Sequence, residues 1–147
     1  MIPRRIQKTD LEAIAALERE AFVHPWTSEA LALLCGEMAT GVVVMDGTRA
    51  VAYGGMMCVA GEGQITNVAT SPAYRRRGLG AAVLSALIEE AKARGLCEIS
   101  LEARESNLPA IALYEKFGFR VMGKRPRFYT NPTETALVMV CALFGEE

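Results

Sequence analysis

The segment YRRRGLGAAVL, residues 74–84, is the most informative stretch of this sequence for predicting the fold and the ligand. Three arginines lead into Gly78-Leu79-Gly80, and an apolar, alanine-rich stretch follows. Backbone N–H groups at the start of a helix bind phosphate, and glycines let a ligand approach the backbone closely. Arginines beside such a turn add charge-assisted contacts. The segment therefore predicts a phosphate-binding turn, although a solvated basic loop that begins a helix would have the same pattern.

The composition of the chain limits which phosphate compound this turn would bind. The 147 residues carry a formal net charge of −1 and are 51% hydrophobic. No overall positive field draws such a protein to nucleic acid or anionic lipid, so we expect no direct nucleic-acid binding and no membrane association. No apolar signal segment follows Met1, which favours a cytoplasmic protein. One domain spanning residues 1–147 fits this length.

The cysteines of the chain do not form a metal or redox motif. They lie far apart, without a Cys-x-x-Cys pair, and the sequence predicts no metal site. Each has apolar neighbours, so we expect all of them to be small core residues: Cys35, Cys58, Cys97 and Cys141.

Hydrophobic periodicity predicts a mixed α/β domain in which helices interrupt a sheet. Asp46-Gly47 is a strong hairpin signal between two apolar runs. Residues 97–103 alternate, which places Cys97, Ile99, Leu101 and Ala103 on one face and Glu102 on the other. The expected helices cover residues 11–22, a short stretch from Thr27 or Ser28, 78–93 and 108–117; further strands cover 63–70, 119–129 and 135–144.

Two familiar phosphate loops do not match this sequence. A dinucleotide-binding turn would have a third glycine where Val83 stands, and its glycines would follow the strand directly instead of after SPAYRRR. A Walker loop requires Gly-Lys-Ser/Thr, which is absent.

The run ITNVATSPAYRRRGLGAAVLSALIEEAKARG, residues 65–95, resembles the acetyl-CoA motif of the GCN5-related N-acetyltransferases, with the core Arg-x-x-Gly-x-Gly. Residues 101–119, LEARESNLPAIALYEKFGF, resemble the second signature of that family. The resemblance implies its fold, a central mixed sheet flanked by helices, and acetyl-CoA as cosubstrate. It also implies that the pyrophosphate lies on the turn, that the pantetheine arm runs along the strand end, and that Asn107 contacts the cosubstrate. The implied cosubstrate-binding residues are Val68, Ala69, Thr70, Arg75, Arg76, Arg77, Gly78, Leu79, Gly80, Ala81 and Asn107.

Within that family, three segments are similar to the bacterial ribosomal-protein alanine N-acetyltransferases. They are AFVHPWTSEAL (21–31), LEARESN (101–107) and RPRFYTNPTETALVM (125–139). Phe128-Tyr129 replaces a tyrosine pair, and Thr135 replaces an aspartate. The similarity implies the N-terminal alanine of a small-subunit ribosomal protein as acceptor, Trp26 and Tyr129 as acceptor-binding residues, and a monomer or weak dimer.

The resemblance also implies catalytic roles, each with a plainer structural alternative. Glu102 would be the general base, although a glutamate on a half-exposed strand is often only solvated. Tyr114 would protonate the departing thiolate, although its spacing with Ile111 and Phe117 also suits a core aromatic. The N–H of Val68 would polarise the thioester carbonyl. His24, in the loop before Pro25, receives no chemical role.

The expected reaction is direct transfer in a ternary complex, because Cys97 is predicted on the face opposite Glu102. Two other functions remain open. The protein would act on a lysine side chain or small amine, or it would bind CoA without catalysing transfer.

Overall fold

The computed structural model describes residues 1–144 and contains a seven-stranded sheet in the order β1-β2-β3-β4-β5-β7-β6. Short 3-10 turns occur at Lys8–Asp10, Ala32–Cys35 and Pro72–Tyr74. The strands are β1 (Arg4–Arg5), β2 (Ala39–Asp46), β3 (Arg49–Val59), β4 (Glu62–Thr70), β5 (Glu98–Arg104), β6 (Arg120–Tyr129) and β7 (Glu134–Ala142). The helices are α1 (Leu11–Ala21), α2 (Ser28–Leu31), α3 (Leu79–Ala93) and α4 (Leu108–Lys116).

The predicted mixed α/β architecture is confirmed. Strands β2, β3 and β4 form an antiparallel meander that turns at Gly47, and β4 pairs with β5 in parallel across the α3 crossover. The last two strands return antiparallel beside β5. The two-residue β1 escaped prediction because a segment this short carries no periodicity.

Two apolar clusters cover the two faces of the sheet. Because side chains alternate along a strand, Val42 and Val44 pack toward α3, whereas Val43 packs toward α1. The α3 side contains the helix stripe predicted from the sequence, with Leu79, Val83, Leu87 and Ala91 all buried. Apolar packing thereby covers the sheet on both of its faces.

The strands β4 and β5 diverge after a short paired stretch. Their parallel register extends only from Glu62↔Glu98 to Gln64↔Ser100. Beyond that point β5 pairs with β7 alone. Thr66 is an extra residue in β4, since Gly55 faces Asn67 and Met56 faces Ile65. Such a bulge bends a strand and ends regular pairing, and bulges are common beside active sites.

One core prediction is wrong. Cys97 is exposed, because β5 begins at Glu98 and the residue before it lies outside the alternating strand. Cys141 is buried, whereas Cys35 and Cys58 are half-buried. No helix within residues 1–144 has the length and apolar character needed to cross a membrane.

Candidate active site

A cleft of about 480 Å³ opens where β4 and β5 diverge. The cleft is lined by residues from distant parts of the chain. Five of them were predicted from the sequence to act on the substrates: Trp26, Val68, Glu102, Tyr114 and Tyr129. Sequence reasoning gave no role to several other residues that line it: Glu18, His24, Asn67, Arg104 and Asn131. None of the cysteines within residues 1–144 lines the cleft.

The backbone of Val68 faces this opening. The Ser71 N–H donates to the Val51 carbonyl of β3 at 2.8 Å. Because backbone groups of successive strand residues point to alternate sides, Val68 and Thr70 direct theirs away from β3, toward the gap left by β5. Ala69 differs, since its backbone faces β3 and its side chain is buried against α1. Of the three predicted strand residues, Val68 and Thr70 therefore direct their backbone groups away from β3, and Val68 is the one that lines the cleft.

Glu102 extends from β5 into the cleft with its side chain 14% exposed. Along β5, Glu102 stands between the buried residues Leu101 and Ala103, as the alternating sequence pattern predicted. Nη1 of Arg125, on the edge strand β6, lies 3.4 Å from Oε2 of Glu102. The carboxylate thus has one cationic neighbour and remains in contact with the cleft.

Tyr114, on α4, also lines the cleft. Its ring lies 5.9 Å from the ring of buried Phe119, and burial raises the pKa of the Tyr114 phenol. The pKa of Tyr129 is also raised, first by burial and then by the negative charge of Glu102. These two phenols stay protonated at neutral pH and can donate hydrogen bonds.

Arg104 organises one wall of the cleft. Its guanidinium donates to the carbonyls of Pro132 at 2.9 Å and Thr130 at 3.0 Å, and pairs with Glu134 at 3.2 Å. The same group lies 4.4 Å from the ring centre of Tyr129. Glu134 in turn accepts a hydrogen bond from the Ser106 N–H at 2.6 Å. One side chain therefore ties the β6–β7 loop to the turn that follows β5.

The loop between α1 and α2 forms the opposite wall. Trp26 both packs against the α1 cluster and lines the cleft. Nε2 of His24 lies 3.2 Å from Nδ2 of Asn131, a contact that joins this loop to the β6–β7 loop.

A buried carboxylate lies at the base of the cleft. Glu18 is only 1% exposed, and it accepts hydrogen bonds from the Tyr53 hydroxyl and from the Trp26 N–H. Asn67, at the β4 bulge, is 3.5 Å away through Nδ2. Both residues interrupt apolar patterns in the sequence, Glu18 on the stripe of α1 and Asn67 on the buried face of β4. A polar residue within an apolar pattern was thus the feature of the sequence that could have identified Glu18 and Asn67 as residues of the site.

The arginine-glycine turn lies outside the cleft, at the start of α3. Gly78 has φ +76° and open space where a Cβ would be, and no side chain within residues 1–144 caps the helix. The first helical bond runs from the Ala82 N–H to the Gly78 carbonyl at 3.0 Å, which leaves the preceding N–H groups free. These include Leu79, Gly80 and Ala81.

The side chains around this turn fit an anionic ligand. Arg75, Arg76 and Arg77 are exposed, and Arg77 lies 4.8 Å from the ring centre of Tyr74. The Leu79 side chain is buried, so only its backbone faces a ligand. Free N–H groups, three guanidinium groups and a glycine without steric hindrance match the requirements of a pyrophosphate.

Asn107 precedes α4 and caps it. Its Oδ1 accepts a hydrogen bond from the Ala110 N–H at 3.3 Å, and asparagine is one of the residues preferred at this position. Residues 1–144 contain no cluster of three or more His, Cys, Asp or Glu side chains that could hold a metal ion.

Comparison with known proteins places this chain among acetyltransferases. The sequence model of the acetyltransferase (GNAT) family matches residues 11–119. The [ribosomal protein bS18]-alanine N-acetyltransferase of Escherichia coli K12 is 35% identical over 136 residues, covering 91% of this chain and 92% of that protein. Its namesake from Haemophilus influenzae is 32% identical, covering 95% and 97%.

A solved structure agrees with these sequence relatives. The crystal structure of the ribosomal-protein-S18-alanine N-acetyltransferase from Escherichia coli superposes with a TM-score of 0.89 at 34% identity. The match covers 99% of this chain and 96% of that one.

Proposed function

The chain belongs to the GNAT acetyltransferase family and is an acetyl-CoA-dependent acetyltransferase, and from this premise we propose that its acceptor is the N-terminal α-amine of ribosomal protein bS18, on alanine. The names of the relatives that cover almost the whole chain support this acceptor. The protein would act on the free chain end in the cytoplasm, without binding nucleic acid.

The observation that carries the proposal is the meeting of three groups in one cleft. Glu102 comes from β5, Tyr114 from α4 and the Val68 N–H from β4. They are separated along the chain and converge only because β4 and β5 diverge. Acetyl transfer to an amine needs a base for the nucleophile, a donor for the thioester carbonyl and an acid for the departing thiol. The cleft contains one group suited to each task.

Glu102 would act on the acceptor. A protein α-amine has a pKa of about 8, whereas that of lysine is about 10.4, so the chain terminus loses its proton far more easily near neutral pH. The Glu102 carboxylate would take that proton, directly or through a water. Nη1 of Arg125, 3.4 Å from Oε2, is the cationic neighbour of this carboxylate.

Tyr114 and Val68 would act at the other end of the reacting bond. Acetyl-CoA, when bound, supplies the acetyl thioester. The Val68 N–H donates to the carbonyl oxygen of that thioester, as an oxyanion-hole donor does. The Tyr114 hydroxyl, kept protonated by burial, gives its proton to the leaving sulfur. The free N–H groups at the start of α3 and Arg75, Arg76 and Arg77 would hold the pyrophosphate.

The acceptor would lie between the two walls of the cleft. Trp26 lies on the wall formed by the α1–α2 loop, and Tyr129 lies on the wall tied by Arg104. The Asn107 side chain, which caps α4, would also contact acetyl-CoA.

Incubation of the purified enzyme with acetyl-CoA and bS18 lacking its initiator methionine tests the proposal directly. We expect one acetyl group to be added, and fragmentation mass spectrometry should locate it on the N-terminal alanine. The control is bS18 whose N-terminus is already blocked, which should remain unmodified. Acetylation of the blocked protein at lysine would contradict the proposed acceptor.

A further inference from the structure

The carboxylate of Glu18 lies beneath the cleft without a cationic partner. The ion pairs formed within residues 1–144 all involve other carboxylates. Glu18 is nevertheless 1% exposed and borders the cleft in which the acceptor would bind. Burying a charge without a partner is costly, so this arrangement needs a physical reason.

The contacts around Glu18 come from hydrogen-bond donors. They are the Tyr53 hydroxyl, the Trp26 N–H at 2.8 Å and the Asn67 Nδ2 at 3.5 Å. Both carboxylate oxygens serve as acceptors in this arrangement. Burial and the adjacent carboxylate raise the pKa of Tyr53, so its phenol keeps the proton that it donates.

Asn67 lies beside this carboxylate and also lines the cleft. Its Nδ2 faces Glu18, which leaves Oδ1 as the one buried side-chain polar atom within residues 1–144 that lacks a hydrogen-bond partner. Reversing the amide would place two oxygens against each other. The base of the cleft therefore presents a carboxylate and an unsatisfied amide oxygen, both of which are hydrogen-bond acceptors.

We propose that Glu18 recognises the charged form of the acceptor's N-terminal amine. The inference rests on the proposed function, in which that amine enters this cleft. An α-ammonium supplies the missing cation, and its attraction to a carboxylate is strong where water is largely excluded. Glu18 would thus select and position a charged chain terminus before transfer.

Glu18 and Glu102 would then have different tasks. Both oxygens of Glu18 already accept hydrogen bonds, Oε1 from Trp26 and Oε2 from Tyr53. Glu102 has only the 3.4 Å contact with Arg125 and is more exposed. Glu18 therefore attracts the ammonium, and Glu102 removes its proton.

Binding measurements that separate charge from fold test this inference. The probes are a short peptide with the N-terminal sequence of bS18 and the same peptide with its α-amine acetylated. Each is titrated by calorimetry into enzyme saturated with CoA, so that no turnover occurs. We expect Glu18→Gln, which keeps the size of the side chain, to weaken binding of the free-amine peptide about 10-fold. Binding of the acetylated peptide, which has no charge at its terminus, should not change.

Three further variants complete the design. Glu18→Asp keeps the charge and should preserve the preference for the free amine. Glu20→Gln is the matched control, because Glu20 lies two residues further along α1 and does not line the cleft. Its carboxylate pairs with Arg49 at 2.8 Å. This variant should bind both peptides like the wild type. Tyr53→Phe removes one donor to Glu18 without removing its charge, and should also preserve the preference. Thermal unfolding of every variant verifies that it is folded.

The outcomes are distinct. Equal weakening of both peptides by Glu18→Gln would show that Glu18 only holds the Trp26 loop in place, and would overturn the inference while leaving the proposed function intact. A wild-type enzyme that binds neither peptide would contradict the proposed function and this inference together.

Discussion

Nη1 of Arg125 lies 3.4 Å from Oε2 of Glu102, so the edge strand β6 contacts the proposed general base across the intervening strand β7. The Glu102 side chain is 14% exposed and that of Arg125 59% exposed. An ion pair in which one side chain is largely exposed contributes little to folding stability. Its significance lies in the position of the carboxylate, which has a cationic neighbour and still faces the cleft.

Replacement of Glu102 by Gln removes the base with little change in shape. We expect the rate of transfer to fall about 100-fold near neutral pH, and to fall further at low pH, where few acceptor amines are neutral without assistance. The measurement is the pH profile of kcat/KM for both enzymes. A profile identical to that of the wild type would exclude Glu102 as the base.

Replacement of Tyr114 by Phe removes the proposed acid. We expect kcat to fall about 100-fold while the KM of acetyl-CoA stays nearly constant. In the wild type, loss of activity through deprotonation of Tyr114 should occur only above pH 10, because burial raises the pKa of this phenol above its ordinary value. Steady-state kinetics check both expectations, and a wild-type kcat in the variant would disprove the acid role.

The periodic parts of this fold were predictable from sequence, and the site was predictable only in part. Alternation in β5 correctly placed Glu102 on the face opposite Leu101, because a half-buried strand imposes that pattern. The divergence of β4 from β5 could not be predicted, since it depends on the register between strands that are distant in the chain. Glu18 and Asn67 were missed for the same reason. Each looks like an isolated polar residue on an apolar face until the fold places them 3.5 Å apart.

Replacement of Arg104 by Lys tests whether the contacts of its guanidinium group position the wall of the cleft that carries Tyr129. Lysine keeps the positive charge but cannot reach the Thr130 and Pro132 carbonyls and Glu134 together. We expect the KM of the acceptor peptide to rise about 10-fold, with a smaller change in the KM of acetyl-CoA. Arg120→Lys on the exposed part of β6 is the matched control and should behave like the wild type. Equal changes in both KM values would indicate general disruption of the fold instead.

Replacement of Gly78 by Ala tests the turn that would hold the pyrophosphate. A Cβ meets no atom within 4 Å there, so the substitution introduces only the strain of a positive φ, about 1–2 kcal/mol. We expect a severalfold rise in the KM of acetyl-CoA, as the turn shifts and its N–H groups lose alignment. Gly47→Ala, with φ +65° and equally open space, carries the same strain in the β2–β3 turn. If that control raised the KM of acetyl-CoA equally, the turn would have no specific role in binding.

The most direct test of the central claim compares two amines in one assay. Initial rates are measured with a peptide bearing a free N-terminal alanine and with the same peptide blocked at its α-amine but containing an internal lysine. The account predicts a kcat/KM at least about 100-fold higher for the free terminus at neutral pH, in line with the difference in amine pKa. Equal or faster acetylation of the lysine, or binding of CoA without acetylation of either peptide, would contradict it.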